Sequence, residues 1–180
     1  IPIIIMTVIS GFLTLMLSED VGEKTQYLDS IDYSVTLNED GSMKVTETWD
    51  ININNTNTLF KQFRLSSSKY GDITNVEVYD LENNRKLEQI NEEMYHLPKD
   101  TYYGLEINSA TFEIAWGVGM DGKKGNRKYQ ISYVVEDVVT SYDDCQEFYW
   151  QFLGEGENTV PAKKVTGTIK LPKEISNMDN

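Results

Sequence analysis

Basic residues are scarce in this chain: 16 Lys and Arg stand against 29 Asp and Glu, a formal net charge of −13 over 180 residues. Such a surface repels phosphate backbones and anionic headgroups, so nucleic acid is not an expected partner. There is one histidine, His96, and one cysteine, Cys145. A single thiol excludes an intrachain disulfide and a multi-cysteine metal cluster. Any Ser-His-Asp or Cys-His centre would have to use His96, which sits in MYHLPKD with no nucleophile signature beside it. Cys145 follows Asp143 and Asp144, whose carboxylates disfavour a thiolate. Soluble amphipathic helices are also missing, because beyond residue 30 the apolar residues do not recur with a 3.6-residue period.

What is present is an ordinary globular balance, 39% hydrophobic and 11% aromatic, enough for one domain with a sizeable core. The clearest pattern is IDYSVTLNEDGSMKVTETWDINI at residues 31–53. Ile31, Tyr33, Val35 and Leu37 share one face of a strand, and Met43, Val45, Trp49 and Ile51 share one face of the next. A two-residue Asp40-Gly41 loop would mix the faces. A three-residue loop with Gly41 left-handed sets Leu37 against Met43, Val35 against Val45 and Ile31 against Trp49, and this register is expected. It places Glu47 inward, opposite Tyr33, in an apolar row. A carboxylate there needs a charge-assisted partner or exposure at the sheet edge. Arg64 is the preferred partner, Arg127 the second, and the pair Glu47–Arg64 reads as structural.

Residues 1–17, IPIIIMTVISGFLTLML, carry no charge. The run is a little short of the roughly 20 residues that cross a bilayer, and lacks a small-x-small cleavage pattern at 15–18, so an uncleaved signal anchor fits it better than a cleaved signal. Residues 18–30 read as a polar spacer, 31–173 as one domain and 174–180 as a polar tail. Strands are expected at 59–65, 73–81, 111–116, 128–139, 146–153 and 164–171, with short or edge strands at 85–90, 94–97 and 102–107. Many short strands between turn signals predict an all-β, antiparallel β-sandwich, immunoglobulin-like, preceded by an N-terminal hydrophobic helix.

DYSVTLNEDGSMKVTETWDI at 32–51, FKQFRL at 60–65, ITNVEVYD at 73–80, YQISYVVEDVV at 129–139 and EFYWQFLGEGENTVPAKKVTGTIKLP at 147–172 together resemble the bacterial predicted-membrane-protein family known as domain of unknown function 2207. The resemblance implies an N-terminal signal, an extracytoplasmic β-rich domain and usually a following transmembrane segment with a cytoplasmic tail. The polar SNMDN run at 176–180 is not such a segment, which leaves residues 1–17 as the expected anchor. The family brings no activity and no catalytic residues.

No catalytic, cofactor or metal site is expected. Gly117, Gly119 and Gly122 match a G-x-G-x-x-G spacing, but GMDGKKGNRK leads into another strand rather than a helix N-terminus, so a hairpin loop is expected there. Asp143-Asp144 and the acidic residues at 155–157 lack the spaced loop of a Ca²⁺ site. Glu47, Glu113 and Glu147 are the carboxylates on strands that a glycoside hydrolase could use. Tyr102, Tyr103, Tyr149 and Trp150 are the aromatic candidates for stacking on a sugar, against the alternative that Phe148, Trp150 and Phe152 are core beside Trp49 and Trp116. The expected function is a non-enzymatic extracytoplasmic interaction or sensing module, tethered to the membrane through its N-terminal segment, with an unknown protein or glycan partner. Glycan or peptidoglycan binding comes second, and a secreted hydrolase third.

Overall fold

The computed structural model describes residues 3–6, 26–65, 70–94, 96–121, 123–153 and 160–172, of which 3–6 by backbone alone. These residues contain strands and no helix. In chain order the strands are β1 (Ile3–Met6), β2 (Tyr27–Leu37), β3 (Met43–Asn54), β4 (Thr58–Arg64), β5 (Ile73–Asp80), β6 (Arg85–Lys86), β7 (Glu88–Gln89), β8 (Thr101–Asn108), β9 (Thr111–Gly117), β10 (Lys124–Val135), β11 (Val139–Ser141), β12 (Cys145–Phe148) and β13 (Val165–Lys170). Three sheets result, in the orders β13-β2-β3-β10-β5-β6, β4-β9-β8-β7 and β1-β12-β11.

The opening hairpin has the expected register: Leu37 pairs with Met43, Val35 with Val45, Tyr33 with Glu47 and Ile31 with Trp49. Gly41 holds φ of 84°, a conformation glycine enters without penalty. The loop is tied by Asn38 N–H, which donates to the Ser42 carbonyl at 2.9 Å, and by Asp40 Oδ1, which accepts from the Ser42 N–H and hydroxyl.

The six- and four-stranded sheets pack face to face through aromatic rings. Trp49 of β3 meets Trp116 of β9 edge-on at 5.2 Å between centroids, and Phe63 of β4 meets Tyr133 of β10 in the same way at 5.2 Å. Alternation makes this possible: the inward residues of β2, β3 and β10 are buried while those between them are half-buried or exposed. The smaller sheet is covered on both faces. Leu97, Tyr103 and Ala115 form a second cluster on its outer side, with Ile90, Met94 and Leu105 packed against it, so six consecutive residues of β9 are buried.

Several details differ from the sequence reading. The order is not that of an immunoglobulin constant domain: of the seven strands of at least seven residues, the seventh (β10) lies beside the second (β3), and the fifth (β8) lies beside the sixth (β9). The immunoglobulin arrangement has these two exchanged. Alternation specifies which face is dry but not which strands are neighbours. The sheets are also not purely antiparallel. β13 runs parallel to β2, β7 to β8 and β1 to β12. β13 enters alongside β2 after Leu28 has bridged Ala162, the approach of a long connection rather than a hairpin.

The four described residues of the expected N-terminal helix, Ile3–Met6, are strand, in keeping with three consecutive β-branched isoleucines. The rest of that helix, most of the spacer, the acidic residues at 155–157, Gly122 and the tail lie outside the described residues. β2 begins at Tyr27, inside the expected spacer. The described residues of 94–97 form no strand, and β12 stops at Phe148, so residues 149–153 continue as irregular chain.

Gly117 ends β9 where the chain passes against Pro98. A Cβ placed on it would lie 2.0 Å from the Pro98 carbonyl oxygen, a backbone atom that cannot swing aside. Replacing Gly117 with Ala is therefore expected to cost about 1–3 kcal/mol, read as a lower urea midpoint with an unchanged slope.

Candidate functional site

Glu47 lies in the middle of the larger sheet, between Tyr33 on β2 and Ile131 on β10, and its side chain points into the dry face. It is 0% exposed. Three donors reach its carboxylate: Tyr133 Oη at 2.6 Å and Lys61 Nζ at 2.9 Å from Oε1, and Trp49 Nε1 at 2.9 Å from Oε2. Lys61 comes from β4 in the opposite sheet, so the ion pair crosses the core. Its ammonium also stands 5.3 Å from the Phe63 ring centroid and 5.9 Å from that of Tyr33.

The expected partner Arg64 is on the wrong face. Leu59, Lys61 and Phe63 of β4 turn inward, whereas Phe60, Gln62 and Arg64 are exposed. Parity along FKQFRL decides it, since the apolar residues two before and two after Lys61 bring it into the core. Arg127 is elsewhere too. Its guanidinium lies 3.6 Å from Glu82 and donates to the Asn126 carbonyl. Glu47 as the inward residue in need of a cation was legible; the identity of the cation was not read.

Burial and the Glu47 charge push the hydroxyls of Tyr33 and Tyr133 well above the usual tyrosine range. Tyr103 and Tyr129 are raised as well, chiefly by burial.

The other carboxylates are committed separately. Glu113, on β9, accepts from Tyr103 Oη at 2.5 Å and Gln62 Nε2 at 2.7 Å, on the outer side of the smaller sheet. That sheet separates it from Glu47. Glu147 on β12 accepts from Tyr142 Oη at 3.1 Å. These three expected hydrolase candidates are thus held on different strands, with Glu47 and Glu113 on opposite sides of one layer.

Of the aromatic candidates, Tyr102, Tyr103 and Trp150 are buried, and only Tyr149 is exposed. They do not form a stacking platform. Tyr102 and Tyr103 are both inside because β8 is covered on both faces, and Tyr102 reaches across to donate to the Val76 carbonyl at 2.9 Å. Trp150 packs on Tyr70 at 4.9 Å and Phe63 at 6.3 Å, and Phe152 on Tyr33 at 5.1 Å, so the core reading of these residues holds with different neighbours. His96 is exposed. Burial and the Asp144 charge push the Cys145 thiol up. Gly117 is the last residue of β9 and Gly119 follows it on the way to β10, so the glycines belong to a strand–loop–strand connection. Among the described residues no group of His, Cys, Asp and Glu is arranged to hold a metal.

A shaped surface lies on the outer side of the larger sheet, at its β5 end. On β5, Asn75 and Val76 together oppose the single residue Tyr133 of β10, a bulge in which Asn75 takes φ of 51°. Beside it lies an open groove of about 600 Å³ lined by Lys44, Asn75, Glu77, Lys86, Gln89 and Ser132, among others. From the groove, cross-strand rows continue over the sheet. Val134, Lys44, Thr36 and Lys170 form one row, and Ser132, Thr46, Ser34 and Thr168 the next. All of these are half-buried or exposed.

A family model described as "Predicted membrane protein (DUF2207) N-terminal domain" matches residues 27–179. No curated protein matches the chain. Among the described residues no helix is long and apolar enough to cross a membrane.

Replacing Lys61 with Met leaves Glu47 buried without its counter-charge, which is expected to lower stability by about 3 kcal/mol, whereas adding Glu47→Gln to Lys61→Met restores most of it. Urea unfolding of the two single variants and the double variant measures the coupling. The tyrosine shifts set a pH dependence. A hydroxyl whose folded pKa exceeds its unfolded value of about 10 keeps the native state more protonated, so its stabilisation is complete below pH 10 and lost above it. Stability is expected to fall as pH rises past about 10, with tyrosinate absorbance of the buried rings appearing only together with unfolding.

Proposed function

The chain belongs to the predicted membrane protein family DUF2207, as its N-terminal domain, and from that premise we propose that it is a non-enzymatic β-sandwich module on the extracytoplasmic side of a bacterial membrane, serving interaction or sensing. The observation that carries this reading is the contrast between its interior and its outer face. The buried carboxylates are each engaged by structural donors, whereas the outer face of the larger sheet is a broad polar surface beginning at an open groove. The uncharged run at residues 1–17 supports tethering of the domain by that segment, for which Ile3–Met6 would leave their pairing with β12. Glycan binding is the second reading. Its support lies in the polar sheet face, since three of the four aromatic candidates are buried.

Cys145, half-buried at the start of β12, offers a native probe of sidedness. A membrane-impermeant maleimide applied to intact cells at mildly alkaline pH, which offsets the raised thiol pKa, is expected to label the protein, with Cys145→Ser giving the background. Labelling of Cys145 only after lysis would overturn the extracytoplasmic placement.

A further inference from the structure

The outer face of the larger sheet has an unusual composition for so acidic a protein. In a chain of net charge −13, the rows that run from the groove towards β13 carry hydroxyls and lysines. Lys44 and Lys170 flank Thr36 in one row; Thr46, Ser34 and Thr168 stand in sequence in the adjacent row. Lys86 is paired with Glu77, and Lys128 with Asp50, whereas neither Lys44 nor Lys170 has an ion-pair partner among the described residues. Two strand spacings separate these two ammonium-bearing positions, about 10 Å along the row. The strip is unbroken across four strands, since β13, β2, β3 and β10 are hydrogen-bonded neighbours. It lacks the apolar centre, rich in aromatics, that protein interfaces use.

We propose that the groove and these rows form one continuous site for an extended acidic glycan, a sugar polymer bearing carboxylates. Lys44 and Lys170 hold the carboxylates, and the Ser and Thr hydroxyls exchange hydrogen bonds with sugar hydroxyls. Charge selects the ligand: a neutral sugar chain would leave both ammonium groups unanswered, while an acidic one meets the locally basic strip on a surface that otherwise repels it. Hydroxyl rows at the spacing of strands and of alternate residues present donors and acceptors as a regular grid across four strands, which suits a stiff, extended chain and not a compact solute. The bulge at Asn75 and Val76 opens one end of the strip, so the chain can turn down into the groove beside Lys86 and Gln89.

This proposal rests on the interaction-module reading and names its ligand class; it fails separately, because sidedness is measured by labelling and not by binding. The test is calorimetric titration of the full chain with a hyaluronan oligosaccharide as the carboxylate-bearing probe, beside a dextran of matched length and a polyglycerol phosphate. Expected are binding to hyaluronan, none to dextran, weaker binding to the phosphate polymer, and a loss of about five-fold or more in affinity for the pair Lys44→Gln and Lys170→Gln. Both lysines are exposed, so the thermal midpoint of that variant should match the parent. A second variant, Ser34→Val with Thr46→Val, keeps the β-propensity and should lower affinity without altering salt dependence. Equal binding to dextran, equal or tighter binding to the phosphate polymer, or hyaluronan binding unchanged in the lysine variant would each overturn the proposal, as would no binding at all.

Discussion

The carboxylate of Glu47 in the middle of the larger sheet constrains what surrounds it. A buried anion costs several kcal/mol unless donors and a counter-charge meet it, and here both sheets contribute. β10 supplies Tyr133, β3 itself supplies Trp49, and β4 of the opposite layer supplies Lys61. Apolar contacts alone would tolerate small slips between the layers, since dispersion is non-directional. A carboxylate with three partners does not tolerate them. One-residue slippage of β4 would turn Lys61 outward and bring Phe60 or Gln62 beneath Glu47. The ion pair therefore specifies how the two sheets face each other more than it adds to stability. The Trp49 and Trp116 pair beside it has the same geometry-setting character, with the difference that Trp49 donates to Glu47 while Trp116 Nε1 is buried without an acceptor among the described residues.

How much of this can be read from residue order differs by level. The hairpin at 31–53 was legible to the individual pair, because alternation on both arms and a single glycine leave one register that keeps the apolar faces together. Glu47 as an inward charge followed from that register. Lys61 did not, although the signal was present: Leu59 and Phe63 flank it with period two, and extending the parity argument to the third strand picks Lys61 over Arg64. The preference for arginine in buried pairs displaced a geometric criterion. Topology was less accessible, since β8 and β10 carry patterns that suit either neighbourhood. The expectation that Tyr102 and Tyr103 can stack on a sugar fails for a related reason. Adjacent strand residues are both buried only when a strand is covered on two sides, and the cover here comes from Ile90, Met94 and Leu97, which lie outside any strand and which no periodicity announces.

The two layers are consequently unequal in what they leave to solvent. The smaller sheet has its inner face in the aromatic core and its outer face under the cluster of Leu97, Tyr103 and Ala115. Its polar side chains are drawn into closing that cover, as Gln62 and Tyr103 do on Glu113. Among the described residues no such cluster covers the outer side of the larger sheet, where Ser, Thr, Asn, Gln and Lys alternate with the core residues. A domain built this way has one broad flat face available and one layer spent on holding it rigid.

Rigidity of that face matters because flat recognition depends on spacing rather than on enclosure. β3 and β10 pair without interruption over twelve positions, and β2 pairs with β3 without interruption from Ser30 to Leu37, so the rows above them inherit the regularity of the ladder. The two-against-one bulge on β5 sits at the end of the strip rather than within it. There Tyr102 of the smaller sheet fastens the displaced Val76 carbonyl, and Gly104 lets Val76 approach so closely that an added Cβ would lie 2.8 Å from its Cγ2. The bulge is thus pinned by the layer behind it, and the groove it opens is a fixed part of the fold. Interior and exterior are coupled through this point: the contacts that fasten β5 to the second sheet also shape the break at which the groove opens.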